Sequence, residues 1–136
     1  MTLAEHAAEI PPDPSAAPLV CVVDDDASLL RAMHRLLSVG GFHAVTFDSA
    51  EAFLEYPSRA RAACLVVDVH LGALSGFDLQ ARLAASGSRV PILFITACDD
   101  VLTRERARRA GAVDYLQKPV DDEVLLGAIQ RAIAGR

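Results

Sequence analysis

Tryptophan is absent from this chain, and all aromatic residues together make up only 5% of it. Any core must therefore be aliphatic, and the 52% hydrophobic content is enough to build one. Cysteine is scarce and odd in number. Cys21, Cys64 and Cys98 match no zinc-ligand spacing, and two of them sit inside apolar runs. This usage fits reduced thiols better than a disulfide framework. Basic charge is in deficit: the net charge of −5 argues against a general electrostatic affinity for nucleic acid. No apolar run approaches the roughly 18 residues of a membrane span. Met1–Ile10 lacks the basic start and long apolar stretch of a secretory signal. There is no internal repeat, and no helix-turn-helix segment follows Ala134. The expectation is a soluble cytoplasmic protein that uses neither membrane nor nucleic acid as a partner through this chain.

The 136 residues suit a single domain with a short preceding tail. Residues 1–18 are rich in Pro and Ala, with Pro11, Pro12, Pro14 and Pro18 among them. Such a composition cannot bury a core and predicts a disordered, extended tail, with a candidate short helix over Leu3–Ile10. From 19 to 136 apolar runs alternate with helical patterns. The strands are expected at Leu19–Val23, His43–Phe47, Ala63–Asp68, Val90–Thr96 and Val113–Gln117. The helices are expected near Ala27–Val39, Ala50–Tyr56, Phe77–Ala85, Asp100–Ala110 and Asp121–Ala134. On the first helix, Leu29, Ala32, Met33 and Leu36 share a face at helical spacing. Glycines at 40–41, 87 and 111 stop the first, third and fourth helices.

Strict alternation of strand and helix implies an α/β fold with a parallel sheet covered on both faces. Five strands are too few for an eight-stranded barrel. The natural choice is a doubly wound, five-stranded parallel sheet of flavodoxin-like order 2-1-3-4-5, flanked by five helices.

Within that order, Leu65-Val66-Val67-Asp68 becomes the central feature. Three branched apolar residues end in one carboxylate, at the end of the strand where such sheets bind ligands. Strand one ends in Asp24-Asp25-Asp26 and would neighbour strand three. Strand four brings Thr96, and strand five brings Lys118. Clustered carboxylates repel one another unless a cation sits among them. A hard divalent cation such as Mg2+ suits oxygen ligands of this kind. One carboxylate can then act as a nucleophile toward phosphorus, with Lys118 and Thr96 holding phosphoryl oxygens. Taken singly, each residue has an ordinary reading: Asp26 as a helix cap, Thr96 as a strand-end hydroxyl, Lys118 as a turn lysine. Their joint appearance at four strand ends is what carries weight.

These same residues give the segment Leu19–Arg136 its resemblance to a response-regulator receiver domain of two-component signalling systems. The matching pieces are Val22-Val23-Asp24-Asp25-Asp26, Leu65-Val66-Val67-Asp68 with Ser75-Gly76, Phe94-Ile95-Thr96-Ala97, and Asp114-Tyr115-Leu116-Gln117-Lys118-Pro119. Within the family the chain looks most like receivers of LuxR-type, FixJ-like regulators. The resemblance implies that Asp68 accepts a phosphoryl group from a sensor histidine kinase or phosphotransfer protein. It implies Mg2+ ligands from Asp25, Asp68 and the backbone carbonyl of His70, with Asp24 reaching the metal through water. Thr96 and Lys118 would bind the phosphoryl group. Tyr115 would be the switch aromatic, swinging inward as Thr96 moves. A cis Lys118-Pro119 bond is also implied. His70 and Cys98 fall at positions that tune phosphoryl lifetime. The chain departs from the family at Gly72, where a Pro is usual, which predicts a looser loop.

Two surfaces complete the reading. Leu30, His34 and Leu37 follow an outward spacing beside Arg31 and Arg35, on the helix near which kinases of the family dock. Arg104, Arg106, Arg108 and Arg109 form a basic cluster that reads either as a solvated face or as one side of a phosphorylation-dependent homodimer. In the second case its acids would be Asp114, Asp121, Asp122 and Glu123, across the fourth helix, fifth strand and fifth helix. Two alternatives stand beside the switch: a small Mg2+-dependent haloacid-dehalogenase-like phosphohydrolase using Asp24 as nucleophile and Asp26 as acid, and a degenerate receiver that binds partners without phosphorylation.

Overall fold

The computed structural model describes residues 17–135. Of the tail expected over residues 1–18, residues 1–16, with the candidate helix Leu3–Ile10, lie outside the described residues. Five strands form the sheet: β1 Leu19–Val23, β2 His43–Phe47, β3 Cys64–Asp68, β4 Ile92–Thr96 and β5 Asp114–Gln117. Every pairing is parallel, and the order is β2-β1-β3-β4-β5. Five helices connect and follow them: α1 Ala27–Val39, α2 Ala50–Leu54, α3 Gly76–Ala85, α4 Val101–Arg109 and α5 Asp122–Ala134.

The two-residue period of the strands divides the core in two. Cys21, Val23, Leu65, Val67 and Phe94 point to one face, where Phe53 of α2, Phe77, Leu79 and Leu83 of α3, and Ala107 of α4 cover them. Val20, Val22, Cys64, Val66, Leu93 and Ile95 point to the other, under Leu30, Met33 and Leu37 of α1 and Leu125, Ala128 and Ile129 of α5. β3 and β4 are therefore buried along their whole length, whereas the edge strands β2 and β5 are only partly covered. The few aromatics sit where they fill gaps: Phe77 and Phe94 pack ring to ring at 4.8 Å, and Phe47 meets Phe53 edge-on at 5.4 Å.

Local chemistry sets the element ends. The Asp26 carboxylate accepts from the Ser28 and Leu29 N–H groups at the start of α1. Ser75 and Asp78 cap α3 reciprocally. Gly111 takes φ of 82° after α4, a left-handed turn that a side chain would strain. β4 begins at Ile92 because Pro91 has no N–H to give to the sheet, although its carbonyl still accepts from Leu65.

Some expectations are corrected. α2 stops at Leu54, two residues before Tyr56, and a 3-10 turn over Arg59–Arg61 that the periodicity did not signal leads into β3. The phase of α1 also differs. With 3.6 residues per turn, the apolar arc runs in order through Ala32, Leu36, Leu29, Met33, Leu37 and Leu30. The sheet packs against the far end of that arc, so Leu30, Met33 and Leu37 are buried while Leu29 and Leu36 are half-buried and Ala32 is exposed. Leu30 and Leu37 are thus core residues and not an outward partner surface; only His34 of that trio is exposed.

Candidate functional site

The carboxyl ends of β1, β3 and β5 converge on one acidic recess. Asp68 is the last residue of β3 and is 5% exposed; Asp24, just after β1, is fully enclosed. Asp25 beside it is exposed. One carboxylate oxygen from each of Asp24, Asp25 and Asp68 lies within 4.8 Å of the others. The Lys118 ammonium reaches in from the end of β5, at 2.7 Å from Asp24 Oδ2 and 3.1 Å from Asp68 Oδ2. It is the chain's only lysine. The Lys118-Pro119 bond that follows it is cis, as expected.

The other oxygens are held by the backbone. Asp24 Oδ1 accepts the Asp26 N–H at 2.9 Å, and Asp68 Oδ1 accepts the His70 N–H at 3.0 Å. Burial pushes the Asp24 carboxyl up, and the nearby Asp68 charge adds to this, while Lys118 and the Asp26 N–H pull the other way. Burial alone would pull the Lys118 ammonium down, but its bonds to Asp24 and Asp68 outweigh that and hold it above the usual lysine range. Three carboxylates face one ammonium, an excess of negative charge that a divalent cation would balance. Every donor is a hard oxygen, and Asp25 keeps the recess open to solvent on one side. The residues present therefore fit Mg2+.

Thr96 ends β4 and is fully buried, and its hydroxyl bonds with the loop that follows and not with Asp68 or Lys118. Its Oγ1 donates to the Cys98 carbonyl at 3.2 Å and accepts the Cys98 N–H at 3.1 Å. The Tyr115 hydroxyl donates to the same carbonyl at 3.4 Å. His70 and Cys98 are both exposed at the rim. Gly72 is exposed with open space around it.

A family model for the response regulator receiver domain matches residues 20–130. The chain belongs to this family. The receiver is 38% identical over 115 residues to the response regulator protein TmoT of Ectopseudomonas mendocina, covering 85% of this chain and 52% of TmoT. It is 41% identical over 118 residues to nodulation protein W of Bradyrhizobium diazoefficiens, covering 87% of this chain and 52% of that protein. Among solved structures, FixJ-N superposes with a TM-score of 0.80 at 33% identity, covering 88% of this chain and 95% of FixJ-N. The chain thus spans about half the length of the curated relatives it matches, while the solved receiver is matched almost completely.

The receiver's geometry bears on its rival reading. A phosphohydrolase would need Asp24 as nucleophile, but that carboxylate is sealed and tied to Lys118, and Asp26, its supposed acid, caps α1. The basic cluster on α4 is largely paired within the chain: Arg104 with Asp99 at 2.8 Å, Arg108 with Glu105, and Arg109 with Glu105 at 3.5 Å. Asp114 meets Arg131 at 3.8 Å. Gly76 and Asp99 near the site went without an assigned role in the sequence, and Arg104, read there as part of a basic partner surface, turns inward to Asp99. Gly76 presses on β3, and its only signal was its place in the motif. Asp99 and Arg104 pair five residues apart, a spacing that announces nothing in a sequence.

Proposed function

We propose that this receiver is a phosphoacceptor switch in which Asp68 takes the phosphoryl group of a sensor histidine kinase or phosphotransfer protein. The observation that carries this reading is the convergence of the three carboxylates with Lys118 bridging Asp24 and Asp68. An oxygen of the Asp68 carboxylate attacks phosphorus, the phosphorus–nitrogen bond of the donor histidine breaks, and the imidazole leaves with the electron pair. An acyl phosphate remains on Asp68. Asp25, Asp68 and the His70 carbonyl would hold Mg2+, with Asp24 acting through water. Bound there, the ion supplies positive charge that offsets repulsion between the carboxylates and the phosphoryl oxygens. Lys118 shifts from carboxylate to phosphoryl oxygen, and the Thr96 hydroxyl donates to another. Tyr115 follows Thr96 and alters the surface of α4 and β5. His70 and Cys98, at the exposed rim, set how readily water reaches the acyl phosphate, which autodephosphorylates and makes the domain a switch in place of a turnover enzyme.

The kinase docks near His34 and the recess. The exposed apolar residues Val101, Leu102, Val113 and Val124 favour a phosphorylation-dependent homodimer across α4, β5 and α5, with Arg104 and Arg108 at its margin. The FixJ relative is a transcriptional regulatory protein, and by that likeness the output of this switch is transcriptional.

Incubation with acetyl phosphate and Mg2+, followed by intact mass measurement and peptide mapping, tests the reading. One phosphoryl group on wild type and none on Asp68→Asn is the expected result. An adduct on Asp24 would establish the phosphohydrolase, and no adduct despite Mg2+ binding would establish the degenerate receiver.

A further inference from the structure

The acidic recess occupies one end of the sheet, and a second opening lies near the other. Between the lead-in to β3 and the lead-in to β4 runs a groove of about 650 Å³. Its floor is apolar: Phe53 and Leu83 are buried beneath it, with half-buried Val90 and exposed Pro57 beside them. Arg59 stands on one wall and Arg89 on the other, both exposed. Among the described residues no carboxylate lines this groove, and neither guanidinium has an ion-pair partner. An apolar floor between two unanswered cations fits a short apolar segment that carries a carboxylate.

The start of the chain supplies one. The Leu19 carbonyl accepts the Ala63 N–H at 2.8 Å, so β1 begins beside the lead-in to β3. Leu19 also packs on the side of the sheet that holds Phe53 and Leu83. Ala60, on the groove wall, is three residues from Ala63 and so at most about 11 Å away. The segment Ile10-Pro11-Pro12-Asp13-Pro14 comes shortly before β1. Proline fixes its own φ and keeps the preceding residue extended, so this sequence favours a polyproline II form. In that form the five steps from Pro18 back to Asp13 span about 16 Å, enough to reach the groove. With three residues per turn, Pro11 and Pro14 would share one edge, and Ile10 and Asp13 the next. The first edge is apolar and matches the floor, while the second would bring Asp13 to the arginines. Docking would cost little chain entropy, because the prolines have already removed it.

We propose that the segment Ile10–Pro14 folds back into this groove, with Pro11 and Pro14 on the apolar floor and Asp13 between Arg59 and Arg89. The groove is thus an interaction surface whose ligand is the chain's own N-terminal segment. It lies at the end of the sheet away from Asp68, and the inference stands apart from the phosphoacceptor reading.

The test uses the full chain with Cys98→Ser and Ala7→Cys, and a nitroxide on the new thiol; Cys21 and Cys64 are buried and do not compete. Paramagnetic broadening is read at the backbone amides by NMR. Strong broadening is expected at Arg59, Ala60, Ser88, Arg89 and Val90. Little is expected at Val113 and Gly135, which line the opening beside α5. Asp13→Asn should lower the ratio of docked to free segment about two- to five-fold, the worth of an exposed ion pair. Asp13→Arg should remove the selective broadening, and adding Arg89→Asp should restore part of it. Equal broadening around Arg89 and around Gly135 would mean that the segment has no seat, and would overturn the proposal. So would selective broadening that Asp13→Arg leaves unchanged. In a mixture of isotope-labelled protein without nitroxide and unlabelled protein with it, the labelled molecules should stay sharp. Full broadening there would give the groove to a second copy's segment and overturn the fold-back.

Discussion

Lys118 shows how much one side chain can hold. It is 20% exposed, yet it is the cation shared by two carboxylates that are almost entirely enclosed. Removing one partner of such a group leaves charge buried and unpaired, a loss of about 3–5 kcal/mol in comparable sites. The cysteines show the opposite, side chains that burial silences. Cys21 and Cys64 lie inside the sheet, and burial pushes both thiols up to about 12. At pH 8 such a thiol is thiolate about one part in ten thousand. Cys98 is exposed. A thiol-reactive dye is expected to titrate one cysteine in the native protein and three in urea. Rapid reaction of all three under native conditions would mean that the sheet opens far more readily than its packing implies.

Among the elements, α3 braces the phosphoacceptor strand. The Gly76 N–H donates to the Val69 carbonyl at 3.0 Å, which brings the helix start against the end of β3. A Cβ at Gly76 would lie 2.5 Å from the Asp68 carbonyl oxygen and 3.0 Å from the Val69 Cα. Neither neighbour is a flexible side-chain tip, so the backbone must give way. Gly76→Ala should therefore cost about 1–3 kcal/mol in urea denaturation, as overpacking does, and slow acyl-phosphate formation by displacing Asp68. Gly72→Ala, with nothing within 4 Å of the added methyl, serves as the control and should show neither effect. Equal behaviour of the two variants would remove the brace from the account.

For the whole molecule, the recess exists only in the folded chain, because its three acids come from segments more than forty residues apart in sequence. A cation that binds there stabilises the native state against the unfolded one. At a free Mg2+ concentration of one hundred times its dissociation constant the gain is about 2.7 kcal/mol. Thermal unfolding should shift upward with Mg2+ and return on chelation. Asp25→Asn should lose most of that shift, since Asp25 is the exposed acid of the set and contributes little to packing. A shift that survives in Asp25→Asn would place the ion elsewhere.

The fold and the chemical set were legible in the sequence because both are written in short-range pattern. Apolar runs alternate with helical spacing, and each run of β1, β3 and β4 stops at a polar residue whose type has a role; the strand order then places Asp24, Asp25, Asp68 and Lys118 together. Three matters were settled only by tertiary contact. The phase of α1 was open because six apolar residues spread over a wide arc, and the sheet's position chose the Leu30, Met33 and Leu37 end of it. The hydroxyl of Thr96 could have faced the acids or the loop, and the loop's carbonyl at Cys98 decided it. Arg104 belonged to a basic run whose partners could have been solvent or a second molecule; the turn into α4 brings Asp99 and the Tyr115 ring within its reach. Periodicity determines which residues are apolar together, but hydrogen-bond direction and ion pairing depend on distances that exist only once the chain has closed on itself.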